Sequence, residues 1–453
     1  MLKMKTHRTL AALAVASLSA GVALAGNPFS GVSSTVNGYT TWDSDIINVN
    51  SVPQTGKGVY VAVLDTGLVP NWKDYFPEAR IATQLGTGFD QPVSFKAGGD
   101  ACELDTEVGQ LSRTTWVGST ASTHGTHVTS TIIGYFYKSN SDTAAGVPLP
   151  PILVRGIAPD VTIIPVKVLA DYQVPALPHC TNPGPSPAAK VTFGTDGMVA
   201  AGINYATDLA IKGYRPMIIS MSLGGPELAA IEKNAIDRAI ANGVIVVAAA
   251  GNEGTNGMGF PGAYPPVISA GASGWTKEWL NPSGAPVPPR YRLWWLQSPF
   301  YPFTDITEPT PAAEVYVTDF SSRELPGQQL DVLAPGSWVR GPFPDGYGHL
   351  PWWSKSYADL RARKNLSNFF YVGGTSMATP HVTSVAALML EKNKHLNQTQ
   401  VETIIKSTAL HIAPGSTTIF DLVPAQGFYV RSWEADATGA GLIQANAALS
   451  AVP

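Results

Sequence analysis

The hydrophobic positions of the chain fall into two alternating patterns. Short, mostly apolar, strand-like runs occupy residues 59–64, 161–169, 217–221, 244–249, 267–270 and 330–333, and longer stretches with helical spacing occupy residues 196–212, 227–242, 377–391 and 398–409. A strand written as an unbroken apolar run is covered on both faces, which parallel strands achieve when crossover helices pack on each side. The alternation therefore predicts an α/β fold: a doubly wound, mostly parallel sheet with helices on both faces. At 453 residues the chain has length for two or three average domains, but the continuity of the pattern predicts one large domain over residues 56–453, with no internal repeat. One helical stretch stands apart, because residues 377–390 are apolar nearly all round, as in a helix covered on every side. Pro380 is expected in its first turn, where a missing N–H costs nothing.

Candidate chemistry collects at the ends of these elements. Asp65 closes the first apolar run and is followed by Thr66 and Gly67, and the carboxyl end of a buried parallel strand is where α/β folds place their chemistry. His124-Gly125-Thr126-His127 opens another helical stretch and supplies an imidazole able to take a proton. Gly374-Thr375-Ser376 sets a lone serine before the all-apolar helix. A hydroxyl there meets the positive end of the helix dipole, with unpaired backbone N–H groups beside it for a developing oxyanion. The same serine also reads as a helix cap, contributing about 1 kcal/mol. The His-x-x-His pair lacks the glutamate of a metalloprotease helix motif. An aspartic protease needs a second carboxylate block, which the chain does not contain. A nucleophile elbow wants glycine where Ala378 stands, and in that fold the serine precedes its partners rather than following them.

In chain order, Asp65-Thr66-Gly67, His124-Gly125-Thr126-His127 and Gly374-Thr375-Ser376-Met377-Ala378-Thr379-Pro380 resemble the three signature blocks of the subtilisin-like serine endopeptidases, the subtilases. Two further blocks are similar: Ser222-Leu223-Gly224-Gly225 to the strand lining the substrate cleft, and Ala249-Ala250-Gly251-Asn252 to the segment whose asparagine completes the oxyanion hole. The resemblance implies a secreted endopeptidase acting on protein or peptide substrates. Ser376 would be the nucleophile, His124 the base and later the acid, and Asp65 the group that orients it. Asn252 and the Ser376 N–H would stabilise the oxyanion. Ser222, Leu223 and Gly224 would pair with the substrate backbone. Gly251 and Gly259 would border the pocket for the residue before the scissile bond, leaving it open to large apolar or aromatic side chains. His127 is expected to pack within its helix. Catalysis would need no cofactor. Structural calcium in surface loops is implied only by the resemblance, since Asp74, Asp100 and Asp142 show no ligand spacing. The alternative is a catalytically silent relative serving as a binding or surface protein.

Charge alters this picture only at the N-terminus. Lys3, Lys5 and Arg8 precede an apolar run from Leu10 to about Leu24 and the small-residue motif Ala23-Leu24-Ala25, so residues 1–25 read as a secretory signal peptide. Removing them takes away three positive charges and no carboxylate, carrying the net charge from -4 to about -7. Nothing is basic enough for nucleic acid, and no later run approaches the roughly 18 apolar residues of a membrane span. A monomer outside the cytoplasm, extracellular or periplasmic, is expected. Residues 26–55 form an N-terminal arm too short for the separate inhibitory propeptide common in the family. In an exported chain the pair Cys102 and Cys180 reads as one disulfide. Against the family pattern the chain carries insertions near residues 135–153, 171–190, 274–313 and 342–369. The last two hold Trp275, Trp279, Trp294, Trp295, Trp352 and Trp353, six of the eleven tryptophans. They would either extend the substrate groove or build a small additional core.

Overall fold

A computed structural model describes residues 28–97, 104–118, 122–138, 143–144, 147–148, 151–176, 188–286, 294–297, 306–344, 368–422 and 427–453. Residues 1–32 and 33–453 separate into two units, and of the first the described residues 28–32 form a turn. The expected signal segment, Cys102, Cys180, Asp100, Asp142, Trp352 and Trp353 lie outside the described residues.

The second unit is organised by a nine-stranded sheet. Its strands are β1 (Tyr60–Asp65), β2 (Thr87–Asp90), β3 (Ser112–Thr114), β4 (Thr162–Lys167), β5 (Met217–Met221), β6 (Ile245–Ala249), β7 (Ile268–Trp275), β8 (Val315–Val317) and β9 (Val332–Pro335). They lie in the order β8-β7-β6-β5-β1-β4-β2-β3, with β9 also paired to β7. Every pairing is parallel except β7 with β8 and β2 with β3. The unbroken apolar runs of the sequence are these central strands, displaced by a residue or a few at their ends. Along β1, Val61 and Val63 point into one apolar layer with Val128, Ile132, Val382 and Val385, while Ala62 and Leu64 point into the other with Val199, Ile203, Ala235 and Ile236. The first layer holds α2 (Thr123–Ile133) and α5 (Thr375–Lys392), the second α3 (Asp196–Ile211) and α4 (Ala230–Ala241). Helices on both faces of a mostly parallel sheet are the expected doubly wound arrangement. From β1 the chain proceeds through β2 and β3 to β4, all on one side, and from β5 it proceeds to β6 on the other, so the winding reverses between β1 and β5. Crevices outside the carboxyl ends of strands open at such a reversal.

Three findings depart from or extend the sequence reading. First, Pro380 is the sixth residue of α5 rather than a first-turn residue. Its missing N–H leaves the Ser376 carbonyl without a helical partner, and the Ser222 hydroxyl donates to that carbonyl at 2.8 Å. Second, part of the arm preceding β1 is deep in the unit: α1 (Trp42–Asp45) is buried along its length, as are Ile46, Ile47 and Val49. Asp43 of α1 meets His381 Nε2 at 3.0 Å, which ties this segment to α5.

Third, the excursions are closed at their bases by backbone ladders. Gly134–Tyr137 pairs antiparallel with Ile152–Arg155, Ala170–Val174 with Ala189–Phe193, and Val339–Pro342 with Phe369–Val372. In the insertion beginning near residue 274, Trp275, Trp279, Trp294 and Trp295 are at most 1% exposed. Trp279 and Trp294 lie 5.3 Å apart, and Trp294 stacks on Tyr371 at 5.8 Å and 4°. These four tryptophans build core, and none lines the cleft described below. Trp294→Ala is therefore expected to lower stability by about 3–5 kcal/mol, the usual cost of emptying a buried tryptophan site, without altering peptide preference. Denaturant melts and a cleavage profile measure the two arms, and a changed preference at full stability would return this insertion to the groove.

Candidate active site

Asp65 is the last residue of β1 and is fully buried. Its Oδ1 accepts the Thr66 N–H at 2.6 Å and stands 2.8 Å from Nδ1 of His124, with Oδ2 at 3.0 Å. A carboxylate only accepts, so Nδ1 carries the proton and Nε2 is left as the basic nitrogen. The start of α2 is held against the β1 turn by three bonds. Gly125 N–H donates to Thr66 Oγ1 at 2.9 Å, Ser122 Oγ to the Thr66 carbonyl at 2.9 Å, and Val69 N–H to Thr126 Oγ1 at 3.1 Å. Residue 125 must be glycine for this approach, because a methyl there would lie 2.4 Å from the Gly67 carbonyl oxygen and 3.1 Å from Asp65 Oδ1.

His127, one turn along, faces away from this chemistry. It is fully buried, Nε2 donates to the Val339 carbonyl at 3.1 Å, and Nδ1 has no partner. Burial first, and then the neighbouring charge of His124, push its pKa down to about 3. It stays neutral in working conditions and cannot exchange a proton with substrate.

Ser376 is the second residue of α5, 6% exposed, with Oγ 3.2 Å from the Ser222 carbonyl. The Ser222 hydroxyl returns the contact by donating to the Ser376 carbonyl. This reciprocal pair clamps the nucleophile candidate to the end of β5. The Ser376 N–H, in the first turn where helices leave their donors unpaired, has no acceptor among the described residues. Asn252 lies just beyond β6 and uses Oδ1 to accept both the Thr375 N–H at 2.9 Å and the Thr375 hydroxyl at 3.1 Å. A backbone N–H can only donate, so the amide oxygen must face Thr375 and the Asn252 NH₂ must face elsewhere. Two donors, the Asn252 NH₂ and the Ser376 N–H, thus have no acceptor among the described residues.

A cleft of about 550 Å³ takes in His124, Ser376, Thr66, Ser222, Leu223 and Gly224 in its lining. The backbone of Leu223 and Gly224 makes no hydrogen bond among the described residues, whereas Gly225 is already paired both ways with Phe260 at 2.8 Å. Gly251, Gly259 and Asn252 are not among the lining residues of this cleft. The place a side chain on Gly251 would take is filled by Ser322 Oγ, 2.8 Å from an added Cβ, so this glycine does not open space as expected of it; Gly259 lies against Gly225. Sequence reasoning missed Ser122, Thr66, Thr126 and Thr375, which hold the reactive groups in place. Their only signal is adjacency to the motifs. Among the described residues no group of three or more His, Cys, Asp or Glu side chains is placed to hold a metal ion, and Asp74 accepts from Asn71 at 3.1 Å.

Fold and cleft together define a class: doubly wound α/β proteins with a cleft lined by an imidazole and an alcohol, the imidazole backed by a buried carboxylate. Comparison narrows it. The subtilase family profile matches residues 56–440. Subtilisin DY of Bacillus licheniformis is 27% identical over 361 residues, covering 79% of this chain and 85% of the relative. The subtilisin of Bacillus pumilus is 26% identical over 369 residues, covering 80% and 88%. The match to Subtilisin E of Bacillus subtilis (strain 168), at 27%, covers 80% of this chain and 64% of that relative. Among solved structures, Sphericase superposes with a TM-score of 0.51 at 23% identity, covering 90% of this chain and 99% of that one, a likeness of fold. The chain belongs to the subtilase family and, with it, to the serine endopeptidases.

Proposed function

We propose that this chain is an exported endopeptidase that cuts peptide bonds through Asp65, His124 and Ser376. The observation carrying the reading is the 2.8 Å contact of Asp65 with His124 Nδ1, made on a cleft that His124 and Ser376 both line. Ser376 Oγ attacks the peptide carbonyl carbon as His124 Nε2 takes the hydroxyl proton, forming a tetrahedral oxyanion. The imidazolium then passes that proton to the leaving amine nitrogen, the C–N bond breaks, and an acyl ester on Ser376 remains. Water repeats the sequence, losing a proton to Nε2 and releasing the acid. Asp65 stays ionised throughout and stabilises the imidazolium. Substrate backbone extends along Leu223 and Gly224, whose own backbone groups await partners. Export is supported by the charged start, apolar run and Ala-Leu-Ala motif of residues 1–25.

A fluorophosphonate probe tests the reading. Labelling of the parent chain but not of Ser376→Ala is expected; an unlabelled parent would favour the silent binding relative.

The oxyanion role of Asn252 has its own test. Asn252→Leu is expected to lower kcat by about 10²–10³ with little change in KM, a magnitude that rests on subtilisin itself, a family member. A pure rise in KM would show that Asn252 binds substrate and does not stabilise the oxyanion.

A further inference from the structure

The lining of the cleft includes a buried carboxyl that the proposed chemistry does not use. Glu232, in the first turn of α4, is 5% exposed, yet it lines the cleft and its Oε1 has no hydrogen-bond partner. Asp196, the first residue of α3, and Glu227, in the loop before α4, line the same region. A buried acceptor left unpaired is penalised, so the empty cleft is incomplete at this point. Burial, and then Asp196, push the Glu232 pKa up to about 7, which fits a carboxyl awaiting a positive neighbour.

The surroundings say what that neighbour is. Among the described lining residues the one lysine or arginine is Lys190, whose Nζ lies 2.9 Å from Asp171, so the three lining carboxyls outnumber a cation already engaged elsewhere. Of the other charges on α4, Lys233 pairs with Asp237 at 2.7 Å and Arg238 with Asp208 at 2.6 Å. Val199, Leu223 and Phe260 add apolar wall to the cleft. A cleft wall that combines apolar side chains with carboxyls matches a long side chain whose stem is hydrocarbon and whose tip is a cationic donor. We infer that Glu232, with Asp196 and Glu227, forms a subsite that selects a lysine or arginine side chain at one fixed position of the peptide substrate. This rests on the endopeptidase reading above and adds a specificity to it. A neutral donor would satisfy Oε1 but would leave the excess of carboxyls unbalanced.

The experiment uses decapeptides in which a single lysine is walked through a neutral background, each compared with its norleucine counterpart. With the parent chain, kcat/KM should rise about tenfold for lysine at one register. The Ser376→Ala chain, which cannot cut, should bind that same peptide about tenfold more tightly than its counterpart. Both gains should vanish in Glu232→Gln, and in Glu232→Leu the norleucine peptide should become the better one. No register preferring lysine, or a preference surviving Glu232→Gln, overturns the inference, and the first of these needs no variant at position 232. Fluorophosphonate labelling of the parent reports separately on hydrolysis: if labelling fails, the endopeptidase reading falls, while binding to the Ser376→Ala chain still decides the subsite.

Discussion

Ser376→Ala is expected to reduce kcat by about 10⁶ while leaving the fold intact. The figure is borrowed from subtilisin, where losing the nucleophile alone costs about as much as losing the whole triad. The reason is physical. Without Oγ there is no acyl ester, and His124 has no alcohol to activate, so water must attack a carbonyl held only by oxyanion donors and backbone pairing. That arrangement retains about 10³–10⁴ over the uncatalysed reaction. The structure predicts little else from the change: Oγ makes one contact, 3.2 Å to the Ser222 carbonyl, and the Ser222 hydroxyl keeps its bond to the backbone of residue 376. Adding His124→Ala should therefore cost almost nothing further. A double variant slower than Ser376→Ala by another large factor would show that His124 has a task outside the triad.

Asp65→Asn should lower kcat by about 10⁴, the loss known for the equivalent change in a serine protease of another fold. In the parent the carboxylate offers acceptors at 2.8 and 3.0 Å, which commits the imidazole proton to Nδ1. An asparagine can keep its oxygen on the Thr66 N–H, as Oδ1 does now at 2.6 Å. Its NH₂ then confronts Nδ1 and drives the proton to Nε2, the nitrogen that must be bare to take the serine proton. The imidazolium also loses its counter-charge. KM should hardly move, because Asp65 is fully buried and does not line the cleft. Steady-state kinetics decide the matter. A loss confined to KM, or a loss of no more than tenfold, would place the proton partner of His124 elsewhere.

Much of this architecture is written locally. Strands β1, β5 and β6 are mostly apolar because both of their faces are covered, and that coverage shows in residues 60–65, 217–221 and 245–249 without any long-range information. The reactive groups are legible for a related reason: Asp65, His124 and Ser376 each stand at the end of an element, next to the glycines that such junctions require. Less was legible about Pro380. Its place in the second turn depends on where α5 begins, and there Asn252, from the segment after β6, holds the Thr375 N–H. The tryptophans of the third insertion were ambiguous because an aromatic on a Pro-rich loop has the same letters whether it faces a groove or the core. Burial of Trp294 against Tyr371, 77 positions away, resolves it.

By its own pattern the sequence determined the order of strands and helices and the identity of the groups able to react, since periodicity, chain direction and junction chemistry act over a few residues. Only the tertiary structure decided which polar atoms found partners. Glu232 reads as one more charged residue in the first turn of a surface helix until α3, α4 and the loop after β5 close around it and leave one of its oxygens buried without a partner. Desolvation depends on which distant segments arrive, and no local pattern encodes that.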